Sequence, residues 1–338
     1  MKTKNTFIAA FAVVAFAIYG CDDPGKNPAA PESQNAQLTQ LTQNDLSKLL
    51  HEPGIEFLGQ PDTPLPERNR SLSRIANEAA GITIYVPNDY PTIQSAIDAA
   101  QPGATIIVES ADRPYDEDVR VNKDGIRLIA RDGATVQGRI VIYYSDNVTV
   151  ANFTVYLDIP TSWGGVSVVY GDNAKVLNNT VFESGSVSGR GIYVFQSTGS
   201  IIKNKTSIGL LLNGIVLFYS NDNTITKNRS VGNSEGIRFV FSDNNKVHHN
   251  ESNKNQFAGL HFSNSSDNNF AKGNISNHNG SSGITVGDNG QFGIYVYGSN
   301  TTVTSNNFHC NSGFGDIYDT GVNNTFRDNS TGPLPDCQ

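Results

Sequence analysis

The chain has 338 residues, 24 Lys and Arg against 32 Asp and Glu, a formal charge of −8 and 37% hydrophobic residues. That is enough apolar material for a sizeable core, and the acidic balance argues against nucleic acid as a partner. Its 32 Gly argue against a helical protein.

Two lysines precede the apolar run FIAAFAVVAFAIYG. Residues 1–20 therefore read as a signal peptide, too short to span a membrane as a mature helix. The run closes on Ile18-Tyr19-Gly20-Cys21, which resembles the lipobox of bacterial lipoproteins, although Tyr19 departs from that family's small or branched residue. The resemblance implies lipid at Cys21, a membrane anchor through that lipid, and a place in the envelope of a Gram-negative bacterium, at the outer membrane and facing periplasm or surface. The alternative is a plain secretory signal with an incidental Cys. Asp22-Asp23 are similar to the residues that direct some lipoproteins to the outer face. With Cys21 lipidated, Cys310 and Cys337 are expected to pair in an oxidising compartment, so that the tail, residues 332–338, clamps the end of the fold. Two free thiols are the alternative. Residues 21–80 turn to Pro, Gln, Asn and Ser and read as a largely disordered tether.

The expected folded domain is residues 81–331. It opens with a strand, a short helix and a strand. Asp89 is placed as the helix cap, and Ile93, Ala96, Ile97 and Ala100 form one apolar face. From there Asn recurs at 152, 179, 204, 228, 250, 274, 306 and 329, with spacings of 22 to 27 residues and one of 32. Such recurrence predicts a solenoid whose coils stack an Asn ladder, the amide tolerating a left-handed turn. In phase run GIYVF, GIVLF, GIRFV, GLHFS and GIYVY, from Gly191, Gly214, Gly236, Gly259 and Gly293. Their alternation points Ile192, Val194, Ile215, Leu217, Ile237, Phe239, Leu260, Phe262, Ile294 and Val296 inward. The fold expected is all-β, a right-handed parallel β-helix with an N-terminal capping helix. The long spacing marks residues 283–292 as an inserted loop.

VPNDYPTIQSAIDAAQPGATIIV, followed by these coils, resembles the pectin-lyase-like right-handed β-helix superfamily. Within it the chain is similar to the carbohydrate-binding and sugar-hydrolase repeat type, also found in the periplasmic accessory protein of nitrous oxide reductase. The resemblance covers roughly residues 82–329. It implies fold rather than activity, because that superfamily holds lyases, hydrolases, esterases, epimerases and noncatalytic members.

The strands turn two rows of side chains outward: Tyr193, Val216, Arg238, His261 and Tyr295, then Phe195, Phe218, Val240, Ser263 and Tyr297. Aromatics suit sugar stacking and Arg suits a carboxylate. Polysaccharide is therefore the expected partner, with Tyr193, Phe195, Phe218 and Tyr297 binding it and the protein expected to act as a monomer. As a polyuronate lyase or epimerase it would use Arg238 on the carboxylate and His261 or Tyr295 as base. A noncatalytic adhesive or structural spike is the other alternative, and aromatics also suit a pleated surface for their own sake. His248 and His249 are adjacent in a strand and so are expected on opposite faces, away from a common ion; no metal or other cofactor is expected. Calcium would need clustered carboxylates. Glu183, Glu235, Glu251, Asp288, Asp316 and Asp319 read as scattered over turns. The sequons at Asn152, Asn204, Asn228 and Asn250 read as turn chemistry.

Overall fold

The computed structural model describes residues 81–158, 163–183, 189–210, 212–263, 265–279, 292–311 and 315–332. The expected signal peptide, tether, Cys21, Cys337, Asp288 and residues 283–291 of the insertion lie outside them. Each coil sets three short strands around one interior, and each strand pairs in parallel with its counterpart one coil on. The result is a right-handed parallel β-helix.

One face is an 11-stranded sheet; the other two belong to a 14-stranded sheet. They are joined by the long strand Thr135–Tyr143, which pairs first with Thr154–Leu157 and then with Gly164–Val169. The interior is filled as the alternation predicts: all ten inward residues of the five Gly-initiated strands are fully buried. At about 1.5–3 kcal/mol per aliphatic side chain, such stacks supply the main driving force for folding.

Helix α1 (Ile93–Ala99) closes the N-terminal end, burying Ile93, Ala96 and Ile97. Its cap is Thr92 in a reciprocal pair with Ser95. Asp89 instead accepts a hydrogen bond from the Tyr85 amide at 2.7 Å, so the expected capping role moves three residues on. The Glu117 carboxylate takes the Ile93 and Gln94 amides, each at 2.9 Å. A negative group there matches the positive end of the helix dipole.

The Asn ladder exists, with a corrected membership. Asn228 Oδ1 accepts the Lys205 amide at 2.9 Å, Asn250 the Asn228 amide at 3.0 Å, and Asn274 the Asn250 amide at 3.0 Å. Asn152 and Asn204 sit one residue too early; Phe153 and Lys205 occupy the corresponding rungs. Asn152, Asn178 and Asn204 form a separate outer ladder, at 3.0 and 2.9 Å between side chains. These three carry the left-handed backbone, with φ of 68°, 55° and 54°. The residue before the rung makes the turn, while the rung itself ties coils together. Two more ladders run through Ser200, Asn223 and Asn245 and through Asn233, Asn255 and Asn279.

Lys205 is the odd rung. It is 1% exposed, and its Nζ has no hydrogen-bond partner. Burial pushes its pKa well below the usual lysine range.

Candidate functional site

The register aligns the predicted row, with Tyr193 paired to Val216, Val216 to Arg238, Arg238 to His261 and His261 to Tyr295, but Val216, Arg238, His261 and Tyr295 are buried rather than solvent-facing. Tyr318 extends it by one strand. Phe195, Phe218 and Val240 form the start of the second row. Strands lie about 4.8 Å apart, so row neighbours are in contact.

At the centre of the row stands a residue the sequence reading assigned to a turn. Glu235 opens the strand Glu235–Val240 and pairs with Asn213 one coil earlier. Strict alternation would put Glu235 and Arg238 on opposite faces. The alternation breaks at Gly236, where a Cβ would collide with Ser252 and with the Gly259 carbonyl of the next coil. Only Gly allows that approach. Ile237 still turns inward, and Glu235 and Arg238 meet on the outer side.

Their contacts are close. Arg238 Nη1 lies 3.1 Å from Glu235 Oε2, and His261 Nδ1 lies 2.6 Å from Oε1. Asn213 Nδ2 donates to Oε2 at 2.7 Å. All four residues are buried, Glu235 to 3% exposure and His261 to 8%. Burial opposes charge on Glu235, yet Arg238 and His261 outweigh it and hold the carboxyl down to about 2. Burial lowers the His261 pKa against the pull of Glu235. The imidazole is thus neutral at pH 7, and an ionised Glu235 requires Nδ1 to carry the proton. Nε2 is left as a buried acceptor with no hydrogen-bond partner.

Tyr295 stacks on His261 with centroids 4.9 Å apart, and Tyr297 lies 4.4 Å from Tyr295. Arg238, His261 and Tyr295, the three predicted catalytic residues, are therefore together. The predicted sugar-binding residues divide: Tyr297 joins this cluster, while Tyr193, Phe195 and Phe218 form an aromatic group toward the N-terminal end, with centroids about 6 Å apart. Tyr170 meets Phe195 edge-on with centroids 5.4 Å apart, while Trp163 stacks on Tyr143 at 6.1 Å. Desolvation pushes the Tyr170 hydroxyl up to about 12 and the Tyr193 hydroxyl still higher, so neither is a base at neutral pH.

His248 and His249 depart from expectation. His248 ends the strand Lys246–His248, and His249 has a left-handed φ of 57°. The bend brings the two rings to one side, with their Nδ1 atoms 3.2 Å apart. Among the described residues no three His, Cys, Asp or Glu form a metal-holding group. His309 is engaged at both ring nitrogens, by the Gly332 carbonyl and Ser330. Cys310 is disulfide-bonded. No helix among the described residues is long and apolar enough to cross a membrane.

The model of the family described as "Periplasmic copper-binding protein (NosD)" matches residues 97–281 and 186–331. No curated protein matches the chain. Among solved structures, the chain is similar to PfbA, a surface adhesin of Streptococcus pneumoniae, at 13% identity and a TM-score of 0.52, covering 73% of this chain and 78% of that one. It is also similar to pectate lyase Pel9A, at 16% identity and a TM-score of 0.48, covering 72% and 68%. A mutant of the periplasmic alginate epimerase AlgG gives 15% identity and a TM-score of 0.43, covering 85% of each chain. Likeness at such identities is one of fold.

Proposed function

The chain belongs to the NosD family, described as periplasmic copper-binding protein, and we propose that this member is an envelope protein that binds acidic polysaccharide along the outer face of its Gly-initiated strands. Lipid at Cys21 anchors it, and a Cys310–Cys337 bridge closes its far end. The observation that carries the reading is the register: aromatic rings and Arg238 fall on consecutive strands about 4.8 Å apart, a rise comparable to one sugar unit. Tyr193, Phe195 and Phe218 supply the half-buried rings of that surface. A glycan-array screen tests it. Retained affinity for the array hits in a Tyr193→Ala, Phe195→Ala double variant would refute it.

The unpartnered His261 Nε2 favours a second reading, uronate elimination, which requires substrate to open the face over it, because Nε2 and Arg238 are buried. Arg238 would neutralise the sugar carboxylate and make the C5 hydrogen acidic. His261 Nε2 would take that proton while Glu235 steadies the imidazolium through Nδ1. The C5–H electron pair becomes the C4–C5 double bond, the C4–O4 bond breaks, and the leaving oxygen takes a proton from the Tyr295 hydroxyl. Tyr295 then recovers a proton from His261. Ultraviolet absorbance of the unsaturated uronate reports the product, and its absence with every polyuronate bound would remove this reading while leaving the first intact.

A further inference from the structure

The 11-stranded sheet carries charge of one sign on a chain of the other. Its strands hold no Asp or Glu, yet they hold Arg127, Lys175, Lys203, Lys246, Lys272 and Arg327, while the whole chain stands at −8. Register lines up Lys203, Thr226, His248, Lys272, Thr304 and Arg327 on consecutive strands, a row of about 24 Å at the strand spacing. At the left-handed corner that follows, Lys227 and His249 add two more basic residues. Among the described residues, Lys203, Lys227, Lys246 and Lys272 form no ion pair.

The carboxylates bordering this stretch stand off the row. Asp243 and Asp267 lie in the turns before Lys246 and Phe270, where they accept the Asp267 and Ser299 amides at 2.7 and 2.6 Å. Glu251, on the next strand, lies 3.5 Å from Arg229, and Asp328 follows Arg327 at the last corner. Burial lowers the His248 pKa, and His249, Lys246 and Lys227 lower it further. Like charges facing one another across a sheet cost stability, and an anionic partner would relieve that cost.

We propose that this face docks on an anionic phospholipid membrane, its lysines set against the phosphate layer. From Lys203 to Lys272 the cations of the face are lysine and histidine. A lysine ammonium is a compact, hydrated point charge on a flexible stem, suited to a fluid layer of phosphates with no fixed geometry. The planar carboxylates of a polyuronate match the arginine fork instead, and Arg238 with its aromatic neighbours belongs to the other sheet. Phe270, 38% exposed and in register between Lys246 and Thr302, puts an apolar ring where the headgroup boundary can take it. The inference rests on neither the polysaccharide reading nor lipid at Cys21.

The test is co-sedimentation of the full chain bearing Cys21→Ser, which cannot take lipid, with equimolar phosphatidylglycerol and phosphatidylcholine vesicles at low salt. Pure phosphatidylcholine vesicles measure what the apolar residues 7–20 contribute. We expect binding that needs phosphatidylglycerol and is lost at about 1 M salt, where charges are screened beyond about 3 Å. A lysine at an anionic membrane surface is worth about fivefold in partitioning, so Lys203→Gln, Lys227→Gln and Lys272→Gln together should weaken binding by more than about 100-fold. Lys254→Gln, exposed at another corner of the coil, removes the same charge and should change binding by less than about twofold. Unchanged circular dichroism would confirm that the variants fold. Equal binding by the triple variant would overturn the assignment, as would a parent chain with no preference for phosphatidylglycerol. A triple variant that lost affinity for a soluble polyuronate, with a parent that ignored vesicles, would also overturn it and give the face to the polysaccharide.

Discussion

Replacing Lys205 with Asn should stabilise this protein, against the usual direction of a substitution at a buried site. Asn179 has no side-chain acceptor one coil on for its amide, because position 205 carries a lysine; the amides of Lys205, Asn228, Asn250 and Asn274 all have one. An Asn at 205 would accept the Asn179 amide and donate toward the Val176 carbonyl, as Asn228 does to the Ile202 carbonyl. Its Nδ2 would also face Asn228 Oδ1. Two or three hydrogen bonds at about 0.5–1.5 kcal/mol each, with removal of an unsatisfied amine costing about 1–3 kcal/mol, favour the variant. Loss of about three buried methylenes, at about 0.8 kcal/mol each, opposes it. The balance is about 1–3 kcal/mol of added stability. The pH dependence is the sharper signature. The folded lysine has a lowered pKa, so below its ordinary value of 10.5 the unfolded chain holds a proton that the folded chain does not. Wild-type stability therefore falls as pH drops from about 10.5 toward the folded value, by up to about 1.4 kcal/mol per unit. Urea denaturation at several pH values should show that slope flattened in Lys205→Asn. Equal slopes in the two proteins would show that Lys205 is solvated and the reasoning wrong.

Glu235→Gln takes the negative charge out of a buried carboxylate–guanidinium contact and should destabilise by about 3–5 kcal/mol; a loss under about 1 kcal/mol would mean that solvent reaches the cluster. Because Glu235 is held down to about 2, its ionic contribution is present above pH 4.5 and lost as pH falls toward 2, which acid titration of wild type against the Gln variant should resolve. Any uronate elimination should rise with pH through a His261 pKa below 6.5, and a base limb above 7 in the rate profile would exclude His261 as base. Asn250→Ala strips the acceptor from two Asn228 donors and a donor from the Ile225 carbonyl and Asn274; we expect about 3 kcal/mol lost in denaturation. Gly236→Ala forces a Cβ against Ser252 and should cost about 1–3 kcal/mol or more, with disturbance of the Glu235–His261 contact visible in the His261 NMR resonance.

The fold was legible because each coil repeats the same two signals, an alternating strand after Gly and a polar turn with Asn. Errors of one residue, as at Asn152 and Asn204, followed from reading the turn and the ladder as the job of one Asn. The structure gives the turn to the left-handed residue and the ladder to its successor. Two adjacent Asn, as at 178 and 179, hide that division, and Lys205 exposes it. The outward rows were equally legible, since register follows from aligning Gly with Gly. Glu235 was not, because period-two reasoning puts residues three apart on opposite faces, and nothing in a single sequence announces the break that Gly236 permits.

The same logic separates fold from chemistry along this chain. Ladder amides and inward aliphatics are copied from coil to coil, so any one of them carries little information about function. Departures from the copy are where something else is held. Lys205 departs inside, with no partner within reach, and its consequence is confined to stability and its pH dependence. Glu235 departs outside and gathers Asn213, Arg238 and His261 around one carboxylate. His249 departs at a corner that its neighbours make with Asn, Lys or Gly, and it brings its Nδ1 within 3.2 Å of that of His248. A charged cluster that kept only the coils together would be served as well by a neutral ladder of the kind this chain builds at its turns. Burying a carboxylate, a guanidinium and an imidazole with a vacant nitrogen costs several kcal/mol in desolvation that ladder amides avoid. That expense falls where the aromatic row passes, which is why the Glu235 cluster, rather than any repeated feature, is the place to look for chemistry.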